Sequence, residues 1–243
     1  MQIFPETKLA ETIHMNYGIL PILNRFGIQL GFGDITLKEA CSRYNINLDF
    51  FLEIVNSYND TSYFPQVQLQ AFPLKLIIDY IDKSHTYYLN RKVPQIEQLI
   101  EEVLDKTKHK NDYRLIDKFY KEYKKELIEH IDKEEQEIHP YVFMLEEAYL
   151  TRNFTEEIVH HIEENSINKY AREHNSLEDK LYDLKNLIIK YLPPVEDPCI
   201  SNSLLIELFR LERDLNDHAR IENKVLIPKV VWLEQQILVK QKI

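Results

Sequence analysis

Two segments of the chain carry the same three chemically useful residues at the same spacing. In EHIDKEEQEIHP (residues 129–140) His130 is followed by Glu134 and Pro140, and in DHARIENKVLIP (residues 217–228) His218 is followed by Glu222 and Pro228. All three positions of the second copy lie 88 after those of the first. Residues four apart sit one turn apart on the same face of a helix, so each pair could offer an imidazole nitrogen and a carboxylate oxygen to one metal site.

Acidic residues fill 40 of the 243 positions, so a histidine with a glutamate four later also arises by chance, as at His160 with Glu164 and His174 with Glu178. A single pair of this kind is ordinarily a solvated helix face. The repeat acquires meaning if the chain is built from a duplicated helix pair, because the first and third helices should then carry equivalents. His85 lies 45 positions before His130, and His174 lies 44 before His218. Four histidines, one per helix, and two glutamates from the second and fourth helices would converge on a bundle core. Buried imidazoles and carboxylates without partners are costly, and a bound metal is a good reason to have them there.

The elements needed to position these residues are legible in the pattern. All four glycines fall at Gly18, Gly27, Gly31 and Gly33, within a segment of residues 1–64 that reads as short helices joined by loops. NDTSYFP (residues 59–65) looks like a junction. Beyond it, residues 65–243 contain no glycine and predict four long helices, over about 72–106, 112–148, 156–191 and 201–236. Pro94, Pro140 and Pro228 fall inside these stretches and should each kink or interrupt a helix. The expected fold is all-α, an up-down four-helix bundle preceded by a small N-terminal helical domain.

Composition excludes several classes. A formal charge of −10 argues against a nucleic-acid surface or an anionic membrane as partner, since phosphate binding relies on Lys and Arg. Cys41 and Cys199 are too few for a disulfide framework. The N-terminus shows no cleavable apolar signal, and no apolar run reaches the ~20 residues of a membrane helix. A cytoplasmic location is expected.

Taken together, SHTYYLNRKVP, HIDKEEQEIHP, REHNSLEDKL and HARIENKVLIP with their spacing resemble a hemerythrin-like (HHE cation-binding) domain, and within that group the di-iron proteins for repair of iron centres. The resemblance covers about residues 68–240. It implies His85, His130, Glu134, His174, His218 and Glu222 as metal ligands. The preceding stretch NRFGIQLGFGDITLKEACSRYNINLDFFLEIV resembles the small helical domain that precedes such bundles in repair proteins. It departs from them in lacking their adjacent cysteine pair, with Gly31 and Phe32 near that position. Cys41 in TLKEACSRY reads as a buried helix residue.

Imidazole and carboxylate ligands suit first-row metals such as iron, whereas structural zinc favours a closed four-ligand site with cysteine. If Glu134 and Glu222 bridge two irons, each ion receives two imidazoles and two carboxylate oxygens. An oxo or hydroxo bridge then leaves one open position per ion for O2, NO or peroxide. The resemblance therefore implies two non-haem iron ions and a role in iron-sulfur cluster repair under oxidative or nitrosative damage, with damaged iron-sulfur proteins as partners. The alternative is a module that binds or senses O2 or NO without repair. A ferritin-like oxidase is disfavoured, because it needs Glu-x-x-His on two bundle helices and within residues 65–243 only Glu157 with His160 fits. The remaining histidines, His14, His109, His139, His160 and His161, are expected at surfaces or helix ends. Tyr87 and Tyr88 flank His85, where a hydroxyl could support a ligand.

Overall fold

Helix signals, stops and prolines place the elements of the computed structural model, which describes residues 2–173 and 177–240. The N-terminal segment forms α1 (Leu9–Met15), a 3-10 turn (Tyr17–Ile19), α2 (Leu20–Arg25), α3 (Leu37–Arg43), α4 (Leu48–Asn59) and α5 (Gln66–Ala71). Helix α2 stops where Gly27 takes φ +76° and the Ile28 amide donates to the Leu23 carbonyl at 2.8 Å, a closure that needs a residue tolerant of left-handed backbone. Helix α3 starts at a capping box: the Thr36 hydroxyl accepts from the Glu39 amide at 3.1 Å while the Glu39 carboxylate accepts from the Thr36 amide at 2.7 Å.

The bundle follows. Its first helix comprises α6 (Leu74–Tyr87) and α7 (Val93–Lys106), its second α8 (Lys110–Lys133) and α9 (His139–Thr151). The third includes α10 (Glu156–Asn165), α11 (Ile167–Glu173) and α12 (Leu177–Lys190), and the fourth comprises α13 (Pro198–Ile221) and α14 (Ile227–Lys240). Contacts of α7 with α8, α8 with α12, α12 with α13 and α13 with α7 close the bundle into a square, so the expected all-α, up-down four-helix architecture is present. Among the described residues, no helix is long and apolar enough to cross a membrane.

At the three internal prolines, where a kink or interruption is expected, the helix is disturbed by one widened turn. Pro94, Pro140 and Pro228 each stand second in the helix that follows a five-residue π turn: Tyr88–Lys92, Glu134–Ile138 and Glu222–Leu226. Proline has no N–H to give to the carbonyl four residues back, and its ring crowds that carbonyl. The chain responds by widening one turn, and the amides of Val93, His139 and Ile227 reach back five residues to the carbonyls of Tyr88, Glu134 and Glu222. The helices therefore run on through a local widening of a kind often found at functional sites.

The third helix is broken where one continuous stretch was expected. Ser166 is extended, and the restarted helix α11 is held by Glu234 of α14, whose buried carboxylate accepts from the Ile167 amide (2.7 Å), the Ser166 hydroxyl (3.0 Å) and the Tyr141 hydroxyl (2.6 Å). A carboxylate at a helix start also meets the positive end of the helix dipole. Replacing Glu234 with Ala strands two buried donors and the half-buried Ser166 hydroxyl, and with each buried donor worth about 1–3 kcal/mol we expect a loss of about 3 kcal/mol, read as a fall of about 10 °C in melting temperature.

Buried apolar side chains form two clusters rather than one. The first joins the N-terminal helices to α6, α9, α11 and α14, with Phe50, Phe51, Ile77, Val142 and Val230 among its members. The second lies between α7, α8, α12 and α13, with Val93, Tyr120, Leu184 and Leu208. Along the first helix Ile81 belongs to one cluster and Tyr88 to the other; along the fourth, Ile221 and Leu215 divide the same way. His85 and His218 stand in the interval.

Candidate metal centre

That interval is a polar belt across the bundle. His85 comes from the last turn of α6, Glu134 opens the π turn of the second helix, and His218 and Glu222 flank the end of α13, Glu222 opening its own π turn. All four are buried, and one ligand atom from each lies within 4.8 Å of those of the other three. The His85 Nε2 stands 3.2 Å from the His218 Nε2 and 3.2 Å from a Glu134 carboxylate oxygen, while His218 Nε2 is 2.8 Å from Glu222. His130, one turn before Glu134 and half-buried, places its Nε2 3.3 Å from the other Glu134 oxygen. His174 lies outside the described residues.

The electrostatics favour a cation. Burial by itself disfavours a charged His85, but hydrogen bonds to Glu134 and Glu135, with the charges of Glu134 and Glu222, outweigh it and hold the imidazole's pKa up at about 9. In the metal-free chain a proton thus partly offsets two buried carboxylates. The donor set, two imidazoles and two carboxylates in a water-poor layer with His130 at its edge, fits a first-row metal such as iron.

Neighbouring groups hold the candidate ligands. The His85 Nδ1 faces Glu135 at 3.0 Å, the carboxylate partner that orients a ligating histidine and fixes its tautomer. His139, expected at a surface or helix end, is instead 5% exposed: its ring lies parallel to that of His85 at 6.1 Å, and its Nδ1 pairs with Asp82 at 2.9 Å. Five residues separate it from Glu134, off the ligand face of an ordinary α-helix, and the π turn brings it back alongside. Tyr170 donates its hydroxyl to Glu134. Burial, and next the charge of Glu134, push that phenol far up, so it remains a donor. Its position four residues before His174 was the available signal, and the sequence reading did not use it. Tyr88, flagged beside His85, turns its ring edge-on to His218 at 5.6 Å and donates its hydroxyl to the Asp214 carbonyl at 3.3 Å. Tyr87 is half-buried and faces Arg25 instead.

The two cysteines are far from symmetric in exposure. Cys41 is buried in α3 and burial pushes its thiol up to about 11, whereas Cys199 is exposed at the start of α13. A disulfide-exchange reagent at pH 8 should therefore titrate one thiol rapidly per native chain and two after denaturation. Rapid reaction of both in the native protein would contradict the burial of Cys41.

Comparison with known proteins follows the same residues. Residues 76–230 match the model of the hemerythrin HHE cation binding domain, which spans the whole belt. Over 210 residues the chain is 19% identical to the iron-sulfur cluster repair protein ScdA of Staphylococcus haemolyticus (strain JCSC1435), covering 86% of this chain and 90% of that one.

Proposed function

Because the chain belongs to the hemerythrin HHE cation-binding family, we propose that its belt holds two non-haem iron ions and that the protein serves in iron-sulfur cluster repair after oxidative or nitrosative damage. The proposed ligands are His85, His130, Glu134, His174, His218 and Glu222. The observation that carries this reading is the convergence of four buried donors from three helices, three of them at positions that the 88-residue repeat singles out. Iron held there would supply redox chemistry and sites for a small molecule such as O2, NO or peroxide.

The protein's own residues set the conditions for that chemistry. Glu135 and Asp82 orient His85 and its neighbour His139, Tyr170 fixes one oxygen of Glu134, and the two apolar clusters exclude water above and below. The repair role is supported by the relative's name, at low identity but over most of both chains. Residues 1–64 we read as a helical unit that caps the bundle without thiol chemistry of its own. Accordingly, Cys41→Ser should leave repair activity largely intact, and complete loss in a folded variant would overturn that assignment.

Metal analysis of the purified chain, with its ultraviolet-visible spectrum before and after NO, tests the di-iron assignment. Fewer than two irons per chain at saturation, or no response to NO, would count against it. Reactivation of an enzyme with a damaged iron-sulfur cluster then separates repair from simple O2 or NO binding: the proposal requires recovery of the enzyme, and a module that only binds or senses gives none.

A further inference from the structure

With Tyr58, whose hydroxyl donates to an Asp214 carboxylate oxygen at 3.4 Å, Arg25 at the end of α2 carries the N-terminal unit to the belt. It is 4% exposed, and its guanidinium donates to an Asp214 carboxylate oxygen at 2.5 Å and to the hydroxyls of Tyr58 and Tyr80 at 3.2 Å each. It also lies over the ring of Tyr88, 5.3 Å from its centroid. Both of its main contacts lead to His218. Asp214 precedes that histidine by one turn of α13, on the same helix face. Tyr88 packs its ring edge-on against the His218 imidazole at 5.6 Å and hangs its hydroxyl on the Asp214 carbonyl.

His218 has particular need of such support. The His85 Nδ1 meets a carboxylate at 3.0 Å, whereas the His218 Nδ1 has no hydrogen-bond partner among the described residues. A ligating histidine is ordinarily oriented by a hydrogen bond from its second nitrogen. Where that bond is missing, ring orientation has to come from packing and from the helix that carries the residue. Arg25 touches the group that supplies the first and the residue that anchors the second.

We propose that Arg25 is a positioning residue for the metal centre: the N-terminal unit sets the orientation of His218 by clamping Asp214 and Tyr88. This rests on the metal reading of the belt, and it gives the N-terminal unit a function that needs no cysteine pair. A ligand or partner protein that lifted this unit would loosen one histidine of the centre while leaving the other donors in place. The plainer alternative, a buried ion pair that only fastens two parts of the fold together, predicts lower stability and an unchanged centre.

The test uses the full chain, metal-free and loaded with Co(II), whose visible bands report coordination geometry. Arg25→Met, checked for fold by circular dichroism, should bind Co(II) about tenfold more weakly, the lower end of the range for residues behind metal ligands, with shifted bands. In the metal-free protein, amide exchange over residues 214–222 should quicken. Arg25→Lys keeps a cation beside Asp214 but loses the fork that also meets the tyrosines, so it should restore both readouts in part. Should Arg25→Met fail to fold, Arg25→Met with Asp214→Asn removes both charges together and carries the same measurements. Glu207→Gln, which breaks the buried Lys92–Glu207 pair at 2.6 Å seven residues earlier on α13, should lower stability without moving the bands. Unchanged bands and affinity in a folded Arg25 variant would sink the proposal. If the unaltered chain takes up no Co(II), the metal reading itself fails, and the exchange measurement alone decides the clamp: faster exchange over 214–222 supports it and unchanged exchange overturns it.

Discussion

Replacing Glu222 with Ala should yield a folded chain that holds fewer than two metal ions and lacks the two-metal spectrum that the proposed centre requires of the unaltered chain. The carboxylate is buried in the layer that His85, Glu134 and His218 also line, and one of its oxygens lies 2.8 Å from the His218 nitrogen. If it is shared between two ions, its loss removes a ligand from both and the link between them. Glu134→Ala should act the same way, since Glu134 is approached by both His85 and His130. Removing a buried carboxylate also relieves repulsion in the metal-free state, so stability without metal should hold or rise even as metal content falls. His109 is exposed at the start of α8, remote from the belt in sequence and in burial. His109→Ala should change neither metal content nor spectrum. Two irons and an unaltered spectrum in folded Glu222→Ala would show the ligand set to be wrong.

Stripping the metal from the unaltered chain should lower its melting temperature by about 10 °C. A ligand that binds only the native state adds RT ln(1 + [L]/Kd), about 4 kcal/mol at a thousandfold excess over Kd, and in a domain of this size each kcal/mol moves the midpoint by about 2–4 °C. The belt makes the effect more than formal linkage. Without a cation, Glu134 and Glu222 face one another in a water-poor layer with the proton on His85 as partial compensation. The measurement is a pair of calorimetric scans, before and after chelation, with refolding on metal return as the control. Coincident midpoints would show that the belt is stable by itself and that the metal does not tie the helices together.

The helices and most of the belt could be read from the chain because both depend on local spacing. A glycine-free stretch with apolar residues at helical period gives four helices, and the repeat at 88 positions finds His130, Glu134, His218 and Glu222 without any knowledge of tertiary contacts. What escaped reading depends on contacts between distant parts. Glu234 ends one helix and starts another 67 residues away, and nothing near Ser166 announces it. Arg25 and Asp214 meet across 189 residues, so the charge on α2 looks like any exposed arginine until the fold buries it. His139 was misplaced for a subtler reason. A proline inside a helix announces a disturbance, but whether that disturbance is a break or one wide turn depends on what packs around it, and only the wide turn brings His139 beside His85.

The division of the interior into two apolar clusters bears on how fast a metal held between them would exchange. In a bundle with one continuous core, releasing a buried ion would require opening most of the molecule, and the rate would approach that of global unfolding. Here each cluster can stay packed while the layer between them breathes, because that layer is centred on polar groups, with His85, Glu134, His218 and Glu222 joined by ion pairs and hydrogen bonds. Openings of this partial kind need less free energy than complete unfolding and so occur more often. The native chain should consequently exchange its metal with a competing chelator faster than it unfolds. A donor of iron would need that property, and a permanent structural site would be harmed by it.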